Sequence, residues 1–101
     1  MFEIEETALF RRWLAELRDQ NAYSRIRVQI LRLARGQFGD VKSVGEGVSE
    51  VRLHFGPGYR LYFCRRGAAI LLLLAGGDKA SQQSDIRDAI AIKRQLDEHE
   101  R

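Results

Sequence analysis

The residues of this sequence best suited to chemistry lie at alternating positions in two neighbouring segments. In the first segment Glu50, Arg52 and His54 alternate with apolar residues, and in the second Arg60 and Tyr62 do so. Alternation at period two places such side chains on one face of a β-strand. Adjacent strands bring facing side chains within about 5 Å at Cβ. The sequence therefore predicts one sheet face that carries arginine, histidine and tyrosine side chains together.

Cationic side chains on one face can hold a phosphate group and stabilise charge that develops on it. Lys79 directly follows an apolar segment, so its amine is expected to reach the same face or its rim. Histidine is the side chain best suited to proton transfer near neutral pH, which makes His54 a candidate acid or base. The predicted catalytic set is therefore Arg52, His54, Arg60 and Lys79. The alternative is a solvated face on which Glu50 pairs with Arg52 or Arg60.

The residue patterns that other common kinds of site require are absent from this sequence. The only histidines are His54 and His99, there is one cysteine, and no carboxylate cluster has ligand spacing, so no metal site and no cofactor are expected. Residues 76–79, Gly-Gly-Asp-Lys, lack the frame of a phosphate-binding loop, and no serine lies in a nucleophile elbow. The single Cys64 is expected to be structural, because little around it marks a reactive thiolate.

Two alternating segments and one apolar segment predict the sheet that positions these residues. Residues 48–55 and 59–64 are joined by Gly-Pro-Gly, which suits a hairpin connection. Residues 70–75 are apolar throughout, which is typical of a central strand covered on both faces. Two short extended segments, 2–5 and 40–44, are also expected.

Helical spacing of apolar residues predicts three helices, at about 8–18, 22–35 and 85–98. Thr7 suits the N-cap of the first helix, and Gly36 suits the end of the second. The first two helices are expected to form an antiparallel hairpin that packs on the sheet. The order of elements predicts an α+β fold with a small, mainly antiparallel sheet and a C-terminal helix, forming a single domain over residues 1–101.

Positive charge is concentrated in residues 11–66, which contain twelve basic and five acidic residues; eleven of the twelve are arginine. Arginine suits bidentate contacts with phosphate, so a polyanionic partner is predicted. The alternative is a basic surface that only contacts water. The N-terminal residues lack the pattern of a signal peptide, and the longest apolar run, residues 68–75, is too short to span a membrane. With its single cysteine, the protein is expected to be cytoplasmic and not membrane-associated.

The sequence resembles a known toxin family over nearly the whole chain. The residues that carry the resemblance are Gly45-Glu46-Gly47-Val48-Ser49-Glu50-Val51-Arg52, Gly58-Tyr59-Arg60-Leu61-Tyr62-Phe63, the leucines at 71–74, Gly76-Gly77-Asp78-Lys79, Gln83 and Asp85-Ile86. This combination is similar to the RelE/ParE toxin superfamily, and in particular to its HigB-like, phage-derived addiction module killer protein branch.

The resemblance implies a RelE-like fold and the toxin of a type II toxin–antitoxin pair. Its protein antitoxin, often a helix-turn-helix DNA-binding protein, would neutralise it in a hetero-oligomer. Many members of the superfamily cleave mRNA, commonly on the ribosome and without a metal, using basic residues on the concave sheet face. Arg52 and Arg60 match the recurrent strand arginines. Lys79 matches the Gly-Gly-Asp-Lys of the branch, which alternatively fixes the turn into the last helix.

Two further sets of residues follow from this interpretation. The predicted RNA-binding residues are Lys42, Tyr62, Arg65 and Arg66. The apolar stripes of the first two helices are needed for the core, so their arginine-rich sides remain available for the antitoxin. The predicted antitoxin-binding residues are Arg12, Arg18 and Arg25.

The sequence departs from the RelE archetype because it ends in a helix and lacks a late strand with a catalytic tyrosine. This leaves the acid and base unassigned and keeps two other functions open, because a shared fold does not determine activity. One is a ParE-like toxin that inhibits DNA gyrase without cleaving RNA. The other is an inactive relic that only binds an antitoxin.

Overall fold

The computed structural model describes residues 1–100 and consists of a five-stranded sheet between helices. The strands have the order β1-β5-β4-β3-β2; β1 is parallel to β5, and the other neighbours are antiparallel. The α+β class and the C-terminal helix are confirmed, and the parallel pair makes the sheet mixed. The elements are β1 (Glu3–Glu6), α1 (Ala8–Ala15), α2 (Gln20–Ala34), β2 (Val41–Gly45), β3 (Val48–Arg52), β4 (Arg60–Arg66), β5 (Ile70–Gly77), a 3-10 turn (Lys79–Ser81) and α3 (Gln82–His99).

Helices α1 and α2 cover one face of the sheet. Thr7 caps α1, because its Oγ1 accepts a hydrogen bond from the Phe10 amide at 3.0 Å. Helix α1 ends at Ala15, three residues before the predicted end, and Asp19 then caps α2 by accepting from two backbone amides. The two helices share one core with the sheet, as predicted. Its buried residues are Phe10, Leu14, Ala22, Ile26, Ile30, Leu33, Val51, Leu53, Tyr59, Leu61, Phe63, Leu71 and Leu73.

Helix α3 covers the opposite face, where the sequence analysis placed an accessible polar surface. That expectation is wrong for Glu50 and Tyr62, which are fully buried, whereas Arg52, His54 and Arg60 are not. The cause is the apolar edge of α3 itself. Residues such as Ile86 and Ile90 must be buried, and α1 and α2 already occupy the first face. The buried residues of this second core are Val48, Tyr62, Cys64, Leu72, Leu74, Ala75 and Ala89. Among residues 1–100, no helix is long and apolar enough to cross a membrane.

Strand β3 ends at Arg52, so the predicted strand over residues 48–55 is three residues too long. Strand β5 lies inside the sheet between β1 and β4, and the leucines at 71–74 are buried, as predicted for a strand covered on both faces. Leu74 is an extra residue opposite β4, because Tyr62 pairs with Ala75 while Phe63 pairs with Leu73.

The two glycines that end β5 permit close approach on both faces. A Cβ on Gly76 would lie 2.3 Å from the ring of Trp13 in α1, and one on Gly77 would lie 1.8 Å from Oδ2 of Asp85 in α3. Glycine at both positions therefore lets a helix on each face pack against the same end of the strand.

Candidate functional site

The four predicted catalytic residues line one open groove of ≈ 590 Å³ at the end of the sheet. Arg52 ends β3, Arg60 begins β4, and Lys79 follows β5. His54 and the rest of the loop over residues 53–58 form the remaining wall. The structure therefore brings Arg52, His54, Arg60 and Lys79 together, although they come from three separate parts of the chain.

Backbone contacts hold Lys79 at the rim of this groove. Its amide donates to the carbonyl of Pro57 at 3.4 Å, which ties the turn after β5 to the β3–β4 loop. Asp78 caps that turn by accepting from the amides of Ala80 and Ser81. The Gly-Gly-Asp-Lys segment thus fixes the turn into α3, and Lys79 also lines the groove. The catalytic role of Lys79 stays a prediction.

A completely buried carboxylate, Glu50, lies beneath the groove. Arg52 Nε donates to its Oε1 at 3.1 Å, while the Tyr62 hydroxyl and Gln82 Nε2 donate to Oε2 at 3.0 and 2.9 Å. Arg60 Nε lies 3.6 Å from the same Oε2 and has no hydrogen-bond partner within residues 1–100. One buried negative charge therefore faces two guanidinium groups and joins strands β3 and β4 to helix α3.

The surroundings of Glu50 keep it ionised. Burial acts to raise the pKa of this carboxyl, but hydrogen bonds from Gln82, Arg52 and Tyr62, together with the charge of Arg60, outweigh it and leave the pKa below its ordinary value. Burial and the hydrogen bond to Glu50 raise the pKa of Tyr62 well above its usual range. Tyr62 is therefore a protonated donor that supports the carboxylate.

Two side chains of β4, Tyr62 and Cys64, are buried and therefore cannot contact a ligand. Tyr62 is fully buried beneath α3, so it has no surface with which to contact RNA as predicted; its hydroxyl donates to Glu50 instead. Cys64 is 1% exposed, and burial raises the pKa of its thiol. A buried, protonated thiol agrees with the structural role expected for Cys64.

His54 lies beyond the end of β3 and is largely exposed. Its Nε2 is 2.6 Å from Oδ2 of Asp40, and the Asp40 carbonyl accepts from the Arg52 amide at 2.9 Å. A carboxylate on one ring nitrogen fixes the orientation of an imidazole and leaves the other nitrogen, here Nδ1, for proton exchange. The sequence analysis did not identify Asp40, because only the ending of β3 and the following loop bring the two side chains together.

The other predicted RNA-binding residues lie apart from the groove. Lys42 and Arg65 line a separate hollow of ≈ 460 Å³ on the α1 and α2 side of the sheet. Arg66 is instead held by Glu100 and by Glu5, the latter at 3.7 Å. Lys42 and Arg65 therefore remain accessible cations, whereas two carboxylates occupy Arg66.

The predicted antitoxin-binding arginines do not form one surface patch. Arg12 and Arg18 are exposed on and just after α1. The guanidinium of Arg25 lies 3.7 Å from the centre of the Phe55 ring, at the edge of the groove. Arg25 therefore lies beside the groove and apart from the other two predicted antitoxin-binding arginines.

Sequence reasoning missed Gln82 and the covering of Glu50 by α3. The available signal was the apolar stripe of the last helix, which needed a sheet face to cover. Within residues 1–100, no group of three histidine, cysteine or acidic side chains could hold a metal ion.

Comparison with known proteins adds one relative. The chain is 39% identical over 94 residues to an uncharacterized protein of Haemophilus influenzae, and the match covers 93% of this chain and 95% of that protein. The chain therefore belongs to the same family as the Haemophilus influenzae protein. No family model matches the sequence.

Proposed function

We propose that this protein is a RelE-like toxin of a type II toxin–antitoxin system that arrests translation by cleaving mRNA on the ribosome. The observation that carries the proposal is the convergence of Arg52, His54, Arg60 and Lys79 on one groove. Among the described residues that line this groove, none is acidic. A groove of this charge suits the phosphate backbone of RNA.

The proposed reaction uses the RNA's own 2′-hydroxyl as the nucleophile. Its oxygen attacks the adjacent phosphorus, the bond to the 5′-oxygen breaks, and the products are a 2′,3′-cyclic phosphate and a 5′-hydroxyl. His54, oriented by Asp40, takes the proton of the 2′-hydroxyl, and a water molecule protonates the departing 5′-oxygen. The side chains of Arg52, Arg60 and Lys79 stabilise the added negative charge of the phosphorane.

The proposed partner is an antitoxin protein that neutralises this site in the resting cell. Arg12 and Arg18 on the α1–α2 hairpin are exposed, do not line the groove, and offer this partner positive charge. Charge complementarity would steer such a complex together rapidly. An antitoxin with a helix-turn-helix domain would also couple toxin binding to DNA binding.

Lys79→Ala is the sharpest test, because within residues 1–100 this exposed lysine forms no ion pair and the variant is expected to fold. Losing one contact with transition-state charge typically lowers the rate about 10²–10³-fold. We expect induced wild-type protein to arrest growth and produce new RNA 5′ ends, and Lys79→Ala to do neither. Arg11→Ala, which removes an exposed charge outside the groove, is the matched control and should stay toxic.

The same cultures distinguish the other functions. DNA supercoiling is measured in parallel with the RNA ends. Gyrase inhibition without RNA cleavage would support the ParE-like alternative, which is kept open by the helix α3 at the position of a late strand. An antitoxin-binding protein without either effect would be the inactive relic. Full toxicity of a folded Arg52→Ala/Arg60→Ala protein would also reject the proposed catalytic roles.

A further inference from the structure

The groove continues beyond the four predicted residues onto helix α2. A second hollow, of ≈ 440 Å³, lies between α2 and the end of β3. Residues 52–55 line both hollows, so the two lie next to each other along this segment. The far side of the second hollow consists of the α2 residues Ser24, Arg25, Val28, Gln29 and Arg32.

The charge of the groove also continues. Arg25 and Arg32 add two guanidinium groups, and neither forms an ion pair among the described residues. They are seven residues apart, which is about 10 Å along a helix at 1.5 Å per residue, and both line the same hollow. No acidic residue within 1–100 lines this hollow either. Both hollows are therefore lined by basic side chains and, within residues 1–100, by no acidic one.

The second hollow differs from the first because Arg25 and Val28 line it together with Phe55. The planar guanidinium of Arg25 lies 3.7 Å from the centre of the Phe55 ring. The side chain of Val28 is 46% exposed beside them. An aromatic ring, a guanidinium plane and an apolar wall are the surfaces on which unpaired bases stack.

We infer that this hollow is a second nucleotide subsite for single-stranded RNA. It holds the nucleotide next to the phosphate bound at Arg52, Arg60 and Lys79. The base packs against Arg25 and Phe55, and Arg32 contacts the neighbouring phosphate. The inference rests on the proposed function and extends it, since it assigns Arg25 to the RNA and leaves only Arg12 and Arg18 for the antitoxin.

Binding of fluorescein-labelled 2′-O-methyl RNA, followed by anisotropy, tests this subsite without cleavage. For the full-length wild-type protein, affinity is expected to rise through a series of lengths from the dinucleotide upward, as the second subsite fills. Arg25→Ala/Arg32→Ala should lose this increase, and its affinity for the longest oligonucleotide should fall about tenfold or more. The slope of log affinity against log salt concentration should decrease by about 0.7 for each lost phosphate contact.

Arg11→Ala/Arg35→Ala is the charge-matched control, because it removes two exposed arginines that line neither hollow. It should keep the length-dependent increase. Phe55→Leu separates stacking from charge and should weaken binding without changing the salt slope.

The inference is overturned if the Arg25/Arg32 and control variants bind every length alike. It is also overturned if the Arg25/Arg32 variant binds RNA normally but loses affinity for the antitoxin, which would make the hollow a protein site. Failure of the proposed function looks different: the wild-type protein would then bind no oligonucleotide and produce no new RNA ends in cells.

Discussion

The two faces of the sheet are stabilised in different ways. On the α1 and α2 face, aromatic rings form a continuous series: ring centroids are 5.8 Å apart for Phe10 and Trp13, 6.2 Å for Trp13 and Tyr59, and 5.5 Å for Tyr59 and Phe55. On the α3 face the apolar core is smaller, and the carboxylate of Glu50 is buried beside it. The first face is held by packing, whereas the second also depends on the polar contacts of Glu50.

This difference shows how the fold supports its candidate site. A buried charge costs free energy unless hydrogen bonds and an opposite charge compensate it. Here the compensating groups include Arg52 and Arg60, which line the groove. Gln82 brings α3 into the same set of contacts. The polar contacts on the α3 face therefore both attach this helix to the sheet and position the two arginines. The apolar contacts on the other face do not have this second role.

Removing the Glu50 carboxylate should produce the largest effect. Glu50→Ala leaves Arg52, Tyr62 and Gln82 without their shared acceptor and Arg60 without its opposite charge. Breaking a buried pair in this way typically costs about 3–5 kcal/mol of unfolding free energy. Urea denaturation measures the loss. The control is Glu46→Ala, which removes an exposed carboxylate paired with Arg94 and should leave the urea midpoint nearly unchanged. Equal midpoints for the two variants would contradict the distinction between the faces.

The two adjacent glycines at the end of β5 lie against opposite faces of the sheet. Replacing each in turn by alanine adds one methyl group to one face and so compares the two faces. In Gly76→Ala the new Cβ meets the rigid ring of Trp13, and overpacking of this kind costs about 1–3 kcal/mol. In Gly77→Ala it meets the carboxylate end of Asp85, which can turn away more easily, so a smaller loss is expected. Thermal unfolding ranks the two variants, and Gly76→Ala should lower the unfolding free energy less in a Trp13→Ala background than in the wild type. A greater loss for Gly77→Ala would show that the α3 face is the less adaptable one.

The pH dependence of stability should give the smallest effect. The pKa of Glu50 is lowered from its ordinary 4.5 on folding, so its contribution is present above that value and is lost as the pH falls through the folded pKa. Glu50→Gln cannot titrate and should therefore lose less stability on acidification than the wild type. Urea midpoints from about pH 7 to about pH 3 measure this difference.

Asp85 lies on the same face and serves as a control, because its contribution to stability should change with pH in the opposite direction to that of Glu50. Burial raises the pKa of its carboxyl, more than the hydrogen bond from Ser81 lowers it, so folding gains stability from Asp85 as the pH falls through that raised pKa. Asp85→Asn removes this gain and should make the acid loss steeper than in the wild type. A loss as shallow as that of Glu50→Gln would contradict these assignments.

Periodicity identified the elements well because it reflects which side of each element is buried. It separated Leu61 and Phe63 from Arg60 and Tyr62, and the two sets do lie on opposite faces of β4. It did not give the end of β3, since residues 53–55 keep the alternating pattern after strand pairing has stopped. Alternation also cannot distinguish a polar face in water from one beneath a helix.

The sequence by itself determined the strands, the helices, the two-residue spacing of Arg52 and His54, and the positive charge of the central region. These properties are local, and they follow from side-chain type and spacing along the chain. Only the tertiary structure decided that α3 buries Glu50 and Tyr62, that Asp40 holds His54, and that Arg25 stacks on Phe55. Those contacts join residues from separate elements, and their geometry depends on which faces remain uncovered once the first core has packed.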